Sequence, residues 1–109
     1  MKFSIIIPAH NEEQYINDCF KSIEEAAKDY SGDIETIVVI NRCNDATEDI
    51  ARMNGAKIAH DDSKNLAKIR NTGAKLATGE ILITIDADSQ MSPNMLKKIE
   101  EALNSGKYI

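Results

Sequence analysis

Three runs rich in apolar, β-branched residues (3–7, 34–40 and 81–85) and a short strand-like stretch, 57–59, alternate with four stretches whose apolar residues recur at helical spacing. This alternation confines the chain to an α/β architecture, a Rossmann-like parallel sheet with helices on both faces and right-handed crossovers. The run 81–85, Ile-Leu-Ile-Thr-Ile, has no polar alternation and reads as a strand covered on both faces. Pro8 ends the first run, because proline donates nothing to a sheet ladder.

Helix starts follow from capping signatures. Asn11 with Gln14, and Asp45 with Glu48, have the spacing of a capping box, and Ser92-Pro93 pairs an N-cap with proline at the first helical position. The first helix runs to about residue 28 on Tyr15, Ile16, Cys19, Phe20, Ile23 and Ala27. The third begins near Ser63 and presents Leu66, Ile69, Gly73, Leu76 and Ala77. Gly55, Gly79 and Gly106 read as helix stops, and Tyr108-Ile109 as the start of a further strand.

With 109 residues, no repeat and no linker, the chain reads as a single α/β domain, 1–109. Against 13 Lys+Arg stand 18 Asp+Glu, and the net charge of −5 argues against a nucleic-acid or anionic-membrane surface. An anionic ligand then needs a cation. No apolar stretch approaches the ~18 residues of a membrane span, and no signal peptide is visible. Cys19 and Cys43 form no Cys-x-x-Cys pair, so a reduced, cytoplasmic setting is expected. Cys19 reads as core, Cys43 as a rim residue, and neither as a nucleophile.

Every polar cluster falls at the carboxyl end of a strand, where open α/β sheets bind ligands: 8–11, 41–45, 60–63 and 86–89. Asp86 and Asp88, one residue apart in an extended chain, point to one side and suit a divalent cation, Mn2+ or Mg2+. The loop after the first strand contains no glycine, so neither a dinucleotide fingerprint nor a P-loop is present. His10 reads as a loop residue beside the pocket and His60 as polar rim.

Four segments together resemble a known group. They are 4–13 (Ser-Ile-Ile-Ile-Pro-Ala-His-Asn-Glu-Glu), 38–47 (Val-Val-Ile-Asn-Arg-Cys-Asn-Asp-Ala-Thr), 67–73 (Ala-Lys-Ile-Arg-Asn-Thr-Gly) and 86–88 (Asp-Ala-Asp). In order and spacing the chain resembles the N-terminal, nucleotide-binding half of the family 2 nucleotide-sugar glycosyltransferases, of GT-A fold. The resemblance implies transfer of a sugar from a nucleotide-diphosphate sugar, a UDP-sugar first, to an acceptor hydroxyl. It implies that Pro8, Ala9 and Asn11 line the nucleoside pocket beside Glu12, and that Arg70 lies near base and phosphates. Asp86 would face ribose and metal, and Asp88 would ligate the cation that stabilises the leaving diphosphate.

Asn41 stands where the family usually has an Asp that accepts from the uracil ring. An amide can present an acceptor or a donor, which leaves the base open, and Asn41→Asp is expected to sharpen uracil preference. Family enzymes are expected to carry roughly as much sequence again, with the acceptor site and catalytic base, and no residue of 1–109 takes that role. The alternatives are a sugar-nucleotidyltransferase, opposed by the missing glycine loop, a phosphohydrolase, opposed by the late position of Asp-x-Asp, and a non-catalytic binding module or truncated relic. The run 81–85 is expected at a sheet edge, with self-association there or through the C-terminus.

Overall fold

The computed structural model describes residues 1–106, and the strand expected at Tyr108-Ile109 lies outside them. The elements alternate as β1 (Phe3–Ala9), α1 (Ile16–Ala27), β2 (Ile34–Ile40), α2 (Thr47–Met53), β3 (Lys57–His60), α3 (Leu66–Ala74), β4 (Ile81–Thr84) and α4 (Met95–Asn104). All strand pairs are parallel, in the order β3-β2-β1-β4.

Period-two alternation sends Phe3, Ile5 and Ile7 to one face of β1, where α1, α2 and α4 bury them with Ile16, Phe20, Ile23 and Leu96. Ile6 faces the other way and joins Ile37, Val39 and Ile69 under α3. Gly73 makes that second layer possible, because a Cβ there would stand 2.7 Å from Ile6 and 2.8 Å from Val39. Gly79, expected to stop a helix, has a packing role too. Its Cβ would stand 2.5 Å from the Ser4 hydroxyl, to which its own N–H donates. The helix has already ended at Ala74, so Leu76 and Ala77 lie beyond it. Gly55, at φ +77°, does close α2 as expected.

Two strand readings are corrected. Pro8 lies inside β1, level with Val39. It shares parity with Ile6, whose carbonyl bonds toward β4, and β4 has left the sheet by that level, so the missing N–H costs no ladder bond. β4 is covered on one face only. It is the outer strand of the described sheet, α3 packs over β1 and β2, and Leu82 is 50% exposed.

At the opposite end of the sheet from the strands' carboxyl termini, Glu35 ties three connections together. Its carboxylate meets Lys57 Nζ at 2.7 Å and accepts from the Ser4 hydroxyl, the Thr78 N–H and the Thr78 hydroxyl. Burial by itself raises the pKa of this group, but the hydrogen bonds from Lys57, Ser4 and Thr78 outweigh it and hold the carboxyl far below the usual range.

Candidate functional site

The strand order 3-2-1-4 reverses between β1 and β4, and the loops after neighbouring strands part at such a point. A cavity of about 390 Å³ lies there. β1 and its loop supply Pro8, Ala9, His10 and Glu12, and the end of β2 supplies Asn41 and Arg42. Lys64 comes from the loop before α3, Leu66 and Ile69 from the start of α3, and Asp86, Ala87 and Asp88 from the loop after β4.

The two aspartates converge through a turn, not through an extended pleat as expected. The Ser89 N–H donates to the Asp86 carbonyl at 2.9 Å, which folds residues 86–89 into a β-turn with Ala87 buried beneath it. The Cys19 thiol donates to the same carbonyl from the core, at 3.8 Å. Burial, followed by the charges of Asp88 and Asp86, pushes that thiol up to about 11, so Cys19 is a packed, protonated group. Both aspartate side chains are exposed, and among the described residues neither makes a hydrogen bond or ion pair.

Glu12 stands beside them. Burial, then the charge of Asp88, raises its pKa, with smaller pushes from Asp45 and Asp86 and an opposing one from His10. Glu12, Asp86 and Asp88, which among the described residues make no ion pair, form an acidic pole that a divalent ion would neutralise, and this fits the donor chemistry of such an ion. Among the described residues no group of three or more His, Cys, Asp or Glu is arranged as a complete metal site. Asp86 and Asp88 would therefore hold a cation only with further oxygens from ligand and water, the usual habit of Mg2+ at phosphates.

The wall between β1 and β2 is held by reciprocal loop contacts. Asn11, at φ +51°, accepts from the Asn44 N–H at 2.8 Å, and its own N–H reaches Cys43 Sγ at 3.3 Å. The Glu12 N–H donates to the Thr47 hydroxyl, Glu13 accepts from the Ala46 N–H, and Cys43 donates to the Ala9 carbonyl. Asn11 is thus spent on the neighbouring loop and does not cap α1, which begins later, at Ile16, without a side-chain cap. The Asp45 box is half formed: Asp45 accepts from the Thr47 N–H at 3.0 Å, while Glu48 turns to Arg52 and His60. Likewise α4 begins at Met95 after a Ser92 turn, and α3 is capped by Asn65, whose side chain accepts from the Lys68 N–H.

Asn41 is 3% exposed and its amide is committed. Nδ2 donates to the Asp61 carbonyl at 2.5 Å and to the Ser63 carbonyl at 2.7 Å, while Oδ1 accepts from Arg42 Nε at 3.0 Å. Of the residues expected at the site, Pro8, Ala9, Glu12, Asn41, Asp86 and Asp88 line the cavity. Asn11 braces its wall, and Arg70 is exposed on α3 outside the lining, next to Ile69, which is part of it. The cations that do line it, Arg42 and Lys64, carry no periodic or capping signal that would have singled them out in the sequence.

A family model described as Glycosyl transferase family 2 matches residues 4–109. Dolichol-phosphate mannosyltransferase of Pyrococcus furiosus is 31% identical over 114 residues, which span all of this chain and 32% of the relative. The crystal structure of S. aureus TarS 1-349 in complex with UDP-GlcNAc superposes with a TM-score of 0.82 at 29% identity, over 96% of this chain and 32% of that one. The mannosyltransferase PcManGT of Pyrobaculum calidifontis, solved with GDP-Man and Mn2+, gives 0.79 at 24% identity over 92% of this chain and 32% of its own, a likeness of fold alone. The chain spans about a third of the length of these relatives, which are longer than the doubling expected from the sequence.

Proposed function

The chain belongs to glycosyl transferase family 2, and from that premise we propose that residues 1–109 are the nucleotide-sugar-binding portion of an enzyme that transfers a sugar from a nucleotide-diphosphate sugar to an acceptor hydroxyl. The observation that carries this reading is the convergence of two unengaged carboxylates, Asp86 and Asp88, on a cavity at the β1/β4 reversal. A UDP-sugar is the first candidate donor, since TarS, at 29% identity, was solved with UDP-GlcNAc.

Asp86 and Asp88 would hold Mn2+ or Mg2+. A cation bound there supplies charge stabilisation to the departing diphosphate oxygen. The rest is the work of the chain. Pro8, Leu66 and Ile69 offer apolar surface to the nucleoside, and the Ala87 turn holds both carboxylates at one rim. Glu12, its pKa raised by burial and by Asp88, adds to an acidic pole that disfavours a diphosphate arriving without a cation. The two free thiols suit a cytoplasmic setting.

Calorimetric titration of UDP with Mn2+ present, and again in EDTA, tests the reading. Binding is expected to need the metal and to be lost in Asp88→Ala. Equal affinity in EDTA, or an unaffected Asp88→Ala, would refute the metal role, and no binding of any nucleoside diphosphate would refute the reading as a whole.

A further inference from the structure

Residues 86–91 leave β4 toward the turn that opens α4 and belong to no helix or strand. Asp86 and Asp88 lie on this loop with exposed side chains that make no hydrogen bond among the described residues, so the place of both carboxylates is decided by whatever holds the loop backbone. Among the described residues, two hydrogen bonds tie 86–91 to the rest of the protein, and both come from α1.

The two bonds leave one face of that helix, three residues apart. At the start of the loop the Cys19 thiol donates to the Asp86 carbonyl at 3.8 Å. At its end the Met91 N–H donates to Ser22 Oγ at 2.7 Å. Ser22 is prepared for this by its own helix. A serine hydroxyl has one hydrogen, here donated to the Cys19 carbonyl at 2.6 Å, so the oxygen meets the loop as an acceptor. Ala87 and Met91 meanwhile enter the core that holds Cys19, Ile23 and Leu96. The loop is thus fixed from beneath, and both carboxylates stay exposed.

We infer that Ser22, together with Cys19, is a positioning residue for the Asp86–Asp88 pair, a two-point staple from α1 that sets both carboxylates at the cavity rim before any ligand arrives. What the pair holds is the cation of the proposed function, on which this assignment rests. A site assembled in advance loses no binding energy to the ordering of its loop. Without the Ser22 hydroxyl, the Met91 N–H is left without an acceptor at a residue that is 6% exposed. Such a donor regains a partner by moving out to water, and that movement shifts Asp88, three residues back, relative to Asp86.

The 109-residue chain is compared with Ser22→Ala, with Ser22→Thr, which keeps the hydroxyl, and with Glu35→Gln, which loosens the opposite end of the sheet. Amide exchange at Met91, followed by NMR, reads the staple without any metal. Calorimetric titration of UDP at a series of Mn2+ concentrations reads its consequence. In Ser22→Ala, Met91 should exchange about tenfold faster, and the Mn2+ concentration that brings UDP binding to half its full strength should rise about three- to tenfold, the worth of one hydrogen bond. Ser22→Thr should restore both, and Glu35→Gln should leave the Mn2+ requirement at the parent's value. An unchanged Mn2+ requirement in Ser22→Ala would overturn the staple and leave the proposed function standing. So would a failure of Ser22→Thr to restore it, or an equal rise in Glu35→Gln, which would mark a general loss of stability. A parent that binds no UDP at any Mn2+ concentration would overturn the proposed function itself, and the staple's role with it.

Discussion

Gly73 of α3 lies so close to Ile6 of β1 that a single added carbon would stand 2.7 Å from Ile6 Cγ2 and 2.8 Å from Val39 Cγ2. This contact sets the height of α3 over the sheet. It also sets the height of Leu66 and Ile69, which line the cavity from the same helix.

Gly73→Ala should therefore destabilise the fold by about 1–3 kcal/mol through overpacking, although alanine is the better helix former. Urea denaturation measures it. A midpoint equal to or above the parent's would show that α3 does not seat on Ile6 and Val39 as described.

Glu35 should make the fold sensitive to acid. Its folded pKa is depressed, so its contribution is complete above the unfolded value of about 4.3 and is lost as pH falls through that value toward the folded one. The parent should lose stability between about pH 4.5 and 2.5 more steeply than Glu35→Gln. Glu35→Ala, which takes the acceptor away from the Ser4 and Thr78 donors, should cost about 1–3 kcal/mol at neutral pH. Parallel stability-against-pH curves for parent and Glu35→Gln would contradict this.

Asn41→Asp should weaken the protein, whatever it does to base preference. The new carboxylate would face the Asp61 and Ser63 carbonyls in place of two donated hydrogens, at a cost of about 1–3 kcal/mol. An unchanged melting midpoint would show that the amide is not spent on that loop.

The two thiols should report on the fold separately. Cys43 is half-buried in the rim loop, while Cys19 is fully buried with its pKa near 11. Reaction with Ellman's reagent at pH 8 should be fast for one thiol, absent in Cys43→Ser, and delayed for the other until unfolding. Two equally fast thiols would place Cys19 outside the core.

What the sequence by itself determined is what depends on neighbours along the chain. Three β-branched runs and one short strand, with helical periodicity between them, specify the alternation, and with it the parallel sheet and the rim that gathers the polar loops. Asp86 and Asp88 were legible because they interrupt the most apolar run in the chain. The tertiary structure decided whatever depends on a partner many residues away. Asn11 and Gln14 have capping-box spacing, yet Asn11 accepts from the Asn44 N–H of the loop after β2, and α1 begins only at Ile16. Gly79 sits where a helix stop belongs, yet its lack of a side chain serves contact with Ser4. Arg70 carries the family motif but faces solvent, while Arg42 and Lys64 line the cavity because of how β2 ends and how α3 is seated. Asn41 shows the division most plainly: its chemistry allows donor or acceptor, and only the carbonyls of Asp61 and Ser63, about twenty residues on and brought alongside by the β2–β3 pairing, leave it the acceptor.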